Sequence, residues 1–131
     1  RTHVFSDPGA RKQLEAILHP MIAMQTRAQA QAAAGDYLMF VVPLLTESGK
    51  WKNRVDRVLV VDCPESLQIS RVMQRNQLSA DTVQAIMHTQ ATRAARLAIA
   101  DDVIVNDGAL AIVTDAVLRL HEQYRTLAAK K

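Results

Sequence analysis

The sequence "VDRVLVVDCPESLQISRVMQRN", residues 55–76, is the strongest indication of the fold class. Its first part, up to Asp62, is apolar on both faces and shows no alternation, which is typical of a strand inside a parallel sheet. Pro64 then stands at a helix start, and the apolar positions of that helix include Leu67, Val72 and Met73. A strand that leads directly into a helix predicts an α/β protein with a parallel sheet.

Strands and helices are also predicted on both sides of this stretch. Upstream, "YLMFVVPLL" predicts a second two-sided strand over Leu38–Leu45, running parallel to the strand over Arg57–Asp62. Downstream, Ser79 is a candidate helix N-cap, and "DDVIVNDG" predicts a short strand that ends in a turn. The segment from Ala109 to the basic C-terminus predicts a last helix.

A helix is also predicted near the N-terminus. Ser6, Asp7 and Pro8 form a helix-start signal, and apolar residues then recur at helical spacing. Pro20 predicts a kink or a restart of this helix, and Gly35 predicts its end.

Length and composition indicate one globular domain, with 131 residues of which 49% are hydrophobic. The single cysteine, Cys63, excludes an internal disulfide and suits a reducing compartment, and no secretory or membrane-spanning segment is visible. We therefore expect a cytoplasmic protein without a membrane partner. The net charge is only +3 and aromatic residues are 4%, so base-stacking platforms are lacking and no nucleic-acid partner is expected.

The tripeptide Ser48-Gly49-Lys50 imitates the end of a phosphate-binding loop. That loop requires a glycine five residues before Gly49 and a Ser or Thr after the lysine, whereas Leu44 and Trp51 stand there. We interpret the tripeptide as a surface loop after a strand.

Hydrolytic chemistry and a zinc site lack support in the sequence. The four histidines have no metal-ligand partner at helical spacing, and Cys63 has no histidine next to it, so no metal site is predicted.

Arginines concentrate around the middle helices. Arg71 and Arg75 are one turn apart, and Arg93 and Arg96 have i, i+3 spacing, so each pair shares a helix face. A solvated surface explains any one of them, but the group of four also suits a phosphate clamp.

Four segments together resemble the dephospho-CoA kinase family in order and spacing: "LEAILHPMI", "VVPLLTESG", "VDRVLVVDCPESLQISRVMQRNQLS" and "QATRAARLAIADDVIVNDG". The resemblance covers nearly the whole chain. It implies a P-loop nucleoside triphosphate hydrolase-like fold, with a three-layer parallel sheet, incomplete here, and helical substrate and lid regions. Residues 1–36 would form the helical CoA-binding region, and residues 37–131 a partial kinase core with a lid at about 71–97.

The resemblance also implies site residues and ligands. Arg71 would be catalytic. ATP would be bound through Arg75, Arg93, Arg96, Asn106, Asp107 and Gly108. The substrate, dephospho-CoA, would be bordered by His19, Pro20, Pro43, Leu44 and Glu47.

The family's Gly-rich loop and its Asp-Ala-Asp segment do not occur in this sequence. The resemblance therefore implies that the chain corresponds to roughly the C-terminal two-thirds of the enzyme. Binding of ATP and Mg²⁺ would need the absent loop, so the chain alone is expected to be inactive. A non-catalytic α/β phosphate- or nucleotide-binding module remains the alternative, a basic protein-interaction domain is a third reading, and a homo-oligomer is left open.

Overall fold

The computed structural model describes residues 7–49, 51 and 53–130, which divide into two compact units, Arg1–Met39 and Phe40–Lys131. The first unit contains one long helix, α1 (Pro8–Ala32). Asp7 is its N-cap and accepts hydrogen bonds from the backbone N–H groups of Gly9 and Ala10 at 2.7 and 3.2 Å. This capping satisfies donors that would otherwise lack partners at the helix start.

Pro20 lies inside α1, and the helix continues through it. The restart offered for Pro20 is therefore wrong, and the kink, which is the other outcome predicted there, stays a prediction. A proline removes one backbone donor from a helix, and the turns on either side are long enough here to continue the helix. The helix ends at Ala32, before Gly35, whose φ of 143° lies in a region that favours glycine.

The strand predicted over Leu38–Leu45 is wrong, and so is its parallel pairing with the strand over Arg57–Asp62. Residues 37–42 have no regular structure, a turn follows at residues 43–44, and α2 (Leu45–Ser48) begins next. A strand needs a hydrogen-bonded neighbour, and within the described residues none lies beside this segment. Leu38, Met39 and Val41 are accordingly exposed. Gly49 caps α2 with a φ of 59°, as a loop residue, whereas Lys50 lies outside the described residues.

The second unit is built around a parallel two-stranded sheet, formed by β1 (Leu59–Asp62) and β2 (Asp102–Val105). Leu59 is in register with Asp102, and Asp62 with Val105. The connection contains α3 (Glu65–Asn76), α4 (Ala80–His88) and α5 (Arg93–Ala98), and α6 (Leu110–Ala128) follows β2. The α/β class with a parallel sheet is thus confirmed.

Local signals place the helix boundaries of this unit. Pro64 precedes the first residue of α3, and Ser79 caps α4 by accepting from the N–H of Thr82, both as predicted. Gln77 ends α3 in a left-handed conformation with a φ of 54°. Among the described residues, the buried apolar side chains are those of Val58, Val83 and Ile104, which centres the small core on the sheet and α4.

Ion pairing fixes the amino end of the sheet. Both carboxylate oxygens of Asp102 accept from Arg57, at 2.7 and 2.9 Å, and the hydroxyl of Tyr124 donates to Oδ2 of Asp102 at 2.8 Å. Asp101 accepts from the backbone N–H of Val58 at 2.7 Å. These contacts join β2 to the residues before β1 and to α6, and so fix where the opposite, carboxyl ends of the strands lie.

Candidate functional site

The candidate site lies at the carboxyl ends of β1 and β2. The backbone N–H of Asn106 donates to the carbonyl of Asp62 at 2.8 Å, so the loops that follow the two strands begin side by side. Open parallel sheets bind ligands at this end because the strand-to-helix loops converge there. The loop after β1 leads into α3, and the loop after β2 contains Asn106, Asp107 and Gly108.

Asp62 and Arg93 form a two-point ion pair at the end of β1. Arg93 donates from Nε to Oδ1 at 2.8 Å and from Nη2 to Oδ2 at 2.6 Å. The Asp62 side chain is only 7% exposed, against 40% for Arg93. Hydrogen bonding to the Arg93 guanidinium lowers the pKa of Asp62, against the opposing effect of desolvation, so Asp62 is held as a carboxylate.

Arg71 connects the two loops. Its Nη1 donates to the carbonyl of Asn106 at 2.8 Å and lies 3.7 Å from the sulfur of Cys63. Gln68, on the same helix, donates to the carbonyl of Cys63 at 2.6 Å. Two side chains of α3 therefore bind backbone groups at the sheet edge, which holds a positive charge beside both strand ends.

Both backbone polar groups of Ala91, just before α5, bind side chains. Its N–H donates to Oε1 of Glu47 at 2.8 Å, and its carbonyl accepts from Nη1 of Arg96 at 2.7 Å. The Ala91 hydrogen bond is the main reason that the pKa of Glu47 is lowered, and the charge of Arg96 acts in the same direction. Glu47 and Arg96 thus fix the entry to α5.

An open groove of about 460 Å³ runs along the first turns of α3 and α5. It is lined by Pro64, Glu65, Arg93, Ala94 and Leu97. Because Arg93 pairs with Asp62 and also lines the groove, the groove borders the end of β1.

The four arginines grouped from the sequence have different surroundings. Arg71 and Arg93 both bind groups at the strand ends, each through its own partner. Arg96 binds the carbonyl of Ala91, whereas Arg75 is exposed and donates to Oδ1 of Asn76 at 2.8 Å. A common phosphate clamp of all four stays a prediction.

The remaining predicted site residues are also accounted for in the structure. Asp107 and Gly108 are exposed in the turn after β2, and Pro43 and Leu44 form the turn before α2. His19 and Pro20 are exposed on α1, in the other unit. Their ligand roles stay predictions.

Asp62 is the site residue that sequence reasoning overlooked. The sequence marks it as the single charged residue within the run from Val58 to Asp62, at the strand end where α/β folds place ligand-binding groups. Its partner, Arg93, is 31 residues away along the chain, so no local pattern reveals the pair.

Among residues 7–49, 51 and 53–130, no group of three or more His, Cys, Asp or Glu side chains is placed to hold a metal ion. No helix in that part of the chain combines the length and apolarity needed to cross a membrane.

Comparison with known proteins connects this geometry to a family. The family described as dephospho-CoA kinase matches residues 1–111. The chain is 53% identical over 131 residues to the dephospho-CoA kinase of Thiobacillus denitrificans, covering all of this chain and 65% of that protein. It is 57% identical to the dephospho-CoA kinase of Burkholderia lata, covering 98% of this chain and 64% of that protein.

Two solved structures are also similar to this chain, and the match covers a similar share of their length. A crystal structure from Thermus thermophilus superposes with a TM-score of 0.79 at 30% identity, covering 93% of this chain and 63% of the other. Dephospho-CoA kinase from Campylobacter jejuni gives a TM-score of 0.66 at 29% identity, covering 94% and 62%. The chain thus spans a little under two-thirds of the length of each of these relatives. With most of its sequence matched to one family and its α/β structure matched to solved relatives, the chain belongs to the dephospho-CoA kinase family.

Proposed function

We propose that this chain forms part of a dephospho-CoA kinase, which transfers the γ-phosphate of ATP to the ribose 3′-hydroxyl of dephospho-CoA in the last step of coenzyme A synthesis. The single observation that carries the proposal is the placement of Arg71 and Arg93 at the carboxyl ends of the strands, in a chain of this family. Phosphoryl transfer spreads negative charge over several oxygens, and fixed guanidinium groups stabilise that charge.

Arg71 is the proposed catalytic residue. The carbonyl of Asn106 holds its guanidinium beside both strand-end loops, so its charge need not be reoriented when phosphate arrives. A planar guanidinium can also bind two phosphate oxygens at once, which an ammonium group cannot.

The family resemblance assigns the remaining site residues to two ligands. The ATP side comprises Arg75, Arg93, Arg96 and the turn Asn106–Asp107–Gly108. The dephospho-CoA side comprises His19, Pro20, Pro43, Leu44 and Glu47, with residues 1–36 as the CoA-binding region, residues 37–131 as the kinase core and residues 71–97 as the lid. Support for these assignments comes from the matched family and, for Asn106, Asp107 and Gly108, from their position in the loop after β2.

The two expected cofactors fit the described residues differently. The arginines and the groove beside Arg93 suit the phosphates of ATP, whose γ-phosphoryl group is the one transferred. The described residues offer no acidic cluster for Mg²⁺. The proposed mechanism therefore assigns no step to a metal on this chain. A cytoplasmic location is part of the proposal as an expectation from the sequence, and the sequence leaves a homo-oligomer open.

A chimeric enzyme tests the proposed function. The part of the Thiobacillus denitrificans relative that this chain does not match is joined to this chain, and ATP-dependent conversion of dephospho-CoA to coenzyme A is measured by mass spectrometry. We expect conversion by the chimera, with the intact relative as the positive control. A folded chimera that binds ATP but transfers no phosphate would contradict the proposal and favour the non-catalytic binding module.

A further inference from the structure

The pair formed by Asp62 and Arg93 has features that differ from those of an ordinary surface ion pair. The carboxylate is almost fully buried at the end of β1, and both of its oxygens accept from one guanidinium. This parallel two-point arrangement fixes the plane of the guanidinium as well as its position. A surface pair between two mobile side chains would contribute little and fix nothing.

The backbone that carries Arg93 is fixed as well. Thr92 caps α5, Glu47 accepts from the backbone N–H of Ala91, and Arg96 donates to the carbonyl of Ala91. Arg93, the first residue of α5, therefore has its backbone held by one set of contacts and its guanidinium by another. A long flexible side chain held at both ends loses little additional conformational freedom when it binds a ligand.

Arg93 also has a surface available to a ligand. Its side chain is 40% exposed and lines the groove beside Pro64 and Ala94, while its Nε and Nη2 are bonded to Asp62. The carboxylate thus holds one edge of the guanidinium at the buried strand end, and the rest of the side chain borders the open groove.

We propose that Asp62 is a positioning residue, which holds the Arg93 guanidinium at the groove in the orientation that receives the phosphates of a nucleoside triphosphate. This inference rests on the proposed function, and it gives Asp62 a role that the proposed function does not include. Asp62 does not touch the nucleotide; it acts through Arg93. The competing explanation is that the pair only attaches α5 to the sheet.

The first experiment needs no catalytic activity. The Nε–H signal of Arg93 in ¹H–¹⁵N NMR spectra of the 131-residue chain reports whether its guanidinium is held. We expect slow solvent exchange of this proton in the parent, and exchange faster by about tenfold or more in Asp62→Asn, because a charge-assisted hydrogen bond is lost. Asp115→Asn, an exposed carboxylate on α6, is the matched control and should leave the signal unchanged.

The second experiment measures kinetics in the chimera described above. Asp62→Asn should raise the KM for ATP by about tenfold, the effect of a single strong contact, while the KM for dephospho-CoA stays within about threefold. In an Arg93→Gln background, Asp62→Asn should have less than about a twofold further effect, because a residue that acts only through Arg93 has nothing left to position. Asp115→Asn again serves as the control.

These outcomes separate the two proposals. An inactive parent chimera counts against the proposed function, while the NMR arm still tests whether Asp62 holds Arg93. An unchanged Arg93 signal in Asp62→Asn overturns the positioning role, and so does an ATP KM within about threefold of the parent despite a released Arg93. If Asp62→Asn does not fold, Arg93→Lys, which keeps the charge but loses the two-point grip, must raise the KM for ATP, or the inference is wrong.

Discussion

Replacing Asp102 with Asn should destabilise the second unit, because this carboxylate joins three parts of it. Asp102 has a side chain only 9% exposed and accepts two hydrogen bonds from Arg57 and one from Tyr124. Asn has nearly the same shape but carries no charge, and one of its two polar atoms is a donor. That donor would face another donor, so at least one of the three bonds is lost and the others weaken.

The size of the destabilisation follows from the hydrogen bonds that Asp102 accepts. A hydrogen bond to a charged group contributes about 1.5–3 kcal/mol, against about 0.5–1.5 kcal/mol for a neutral one. The Arg57 side chain is 33% exposed, so solvent screening reduces its share. We therefore expect Asp102→Asn to lower the free energy of unfolding by about 2 kcal/mol at neutral pH.

The effect should depend on pH in a definite direction. Hydrogen bonding from Arg57, with a smaller contribution from Tyr124, lowers the pKa of Asp102 in the folded chain. A lowered folded pKa means that the stabilisation is fully present above the unfolded value, about 3.9, and is lost as the pH falls through the folded pKa. The difference between parent and variant should therefore be largest near neutral pH and shrink in strong acid.

Urea unfolding followed by circular dichroism measures this difference across the pH range. Asp115→Asn on the exposed face of α6 is the control, and it should stay within about 0.5 kcal/mol of the parent. A loss of unfolding free energy below about 0.5 kcal/mol for Asp102→Asn at neutral pH would contradict the stabilising role of the Asp102 carboxylate. A loss that grows when the pH is lowered would contradict it as well.

Three further predictions concern activity and local backbone strain. The 131-residue chain alone should produce no coenzyme A from dephospho-CoA and ATP, since it lacks the phosphate-binding loop; conversion in a mass-spectrometric assay would show that the site is misplaced. In the chimera, Arg71→Lys should lower kcat by roughly 10²-fold in a steady-state assay, and Arg125→Lys on α6 is the control. If kcat of both variants stays within about threefold of the parent chimera, Arg71 is only a surface residue. Gln77→Gly should raise the free energy of unfolding by about 0.5 kcal/mol, because Gln77 has a φ of 54° that glycine adopts without strain. Gln74→Gly, inside α3, should lower the free energy of unfolding by about 1 kcal/mol. Urea titration measures both variants, and equal effects would show that Gln77 is not strained.

Several structural features were predictable because their signals are local. The apolar run ending at Asp62 and the proline two residues later are enough to predict β1 and α3. The hydroxyl of Ser79 binds a backbone N–H three residues away, so the start of α4 can be predicted from a few residues. The family resemblance depends on the order of such motifs along the chain, and the comparison with known proteins confirms it.

The errors arose where a local pattern depends on distant neighbours. The run from Leu38 to Leu45 has the composition of a central strand, but composition cannot supply the hydrogen-bonded neighbour that a strand needs, and in the described residues that segment has none. Pro20 is a residue type that often breaks a helix, yet α1 continues on both sides of it. The first is a case in which the tertiary context overrides a propensity, whereas α1 continues through Pro20 by its own helical turns.

The family, the α/β class, the main helix starts and the candidate arginines could be predicted from the amino-acid order alone, because they depend on short motifs and on the order of those motifs along the chain. Which arginine binds which partner became clear only from the three-dimensional structure. It directs Arg71 to the carbonyl of Asn106 and Arg93 to Asp62, across 35 and 31 residues respectively. Helical spacing shows which face of a helix an arginine shares, but the partner is chosen by where the parallel strands end and which groups the fold buries there.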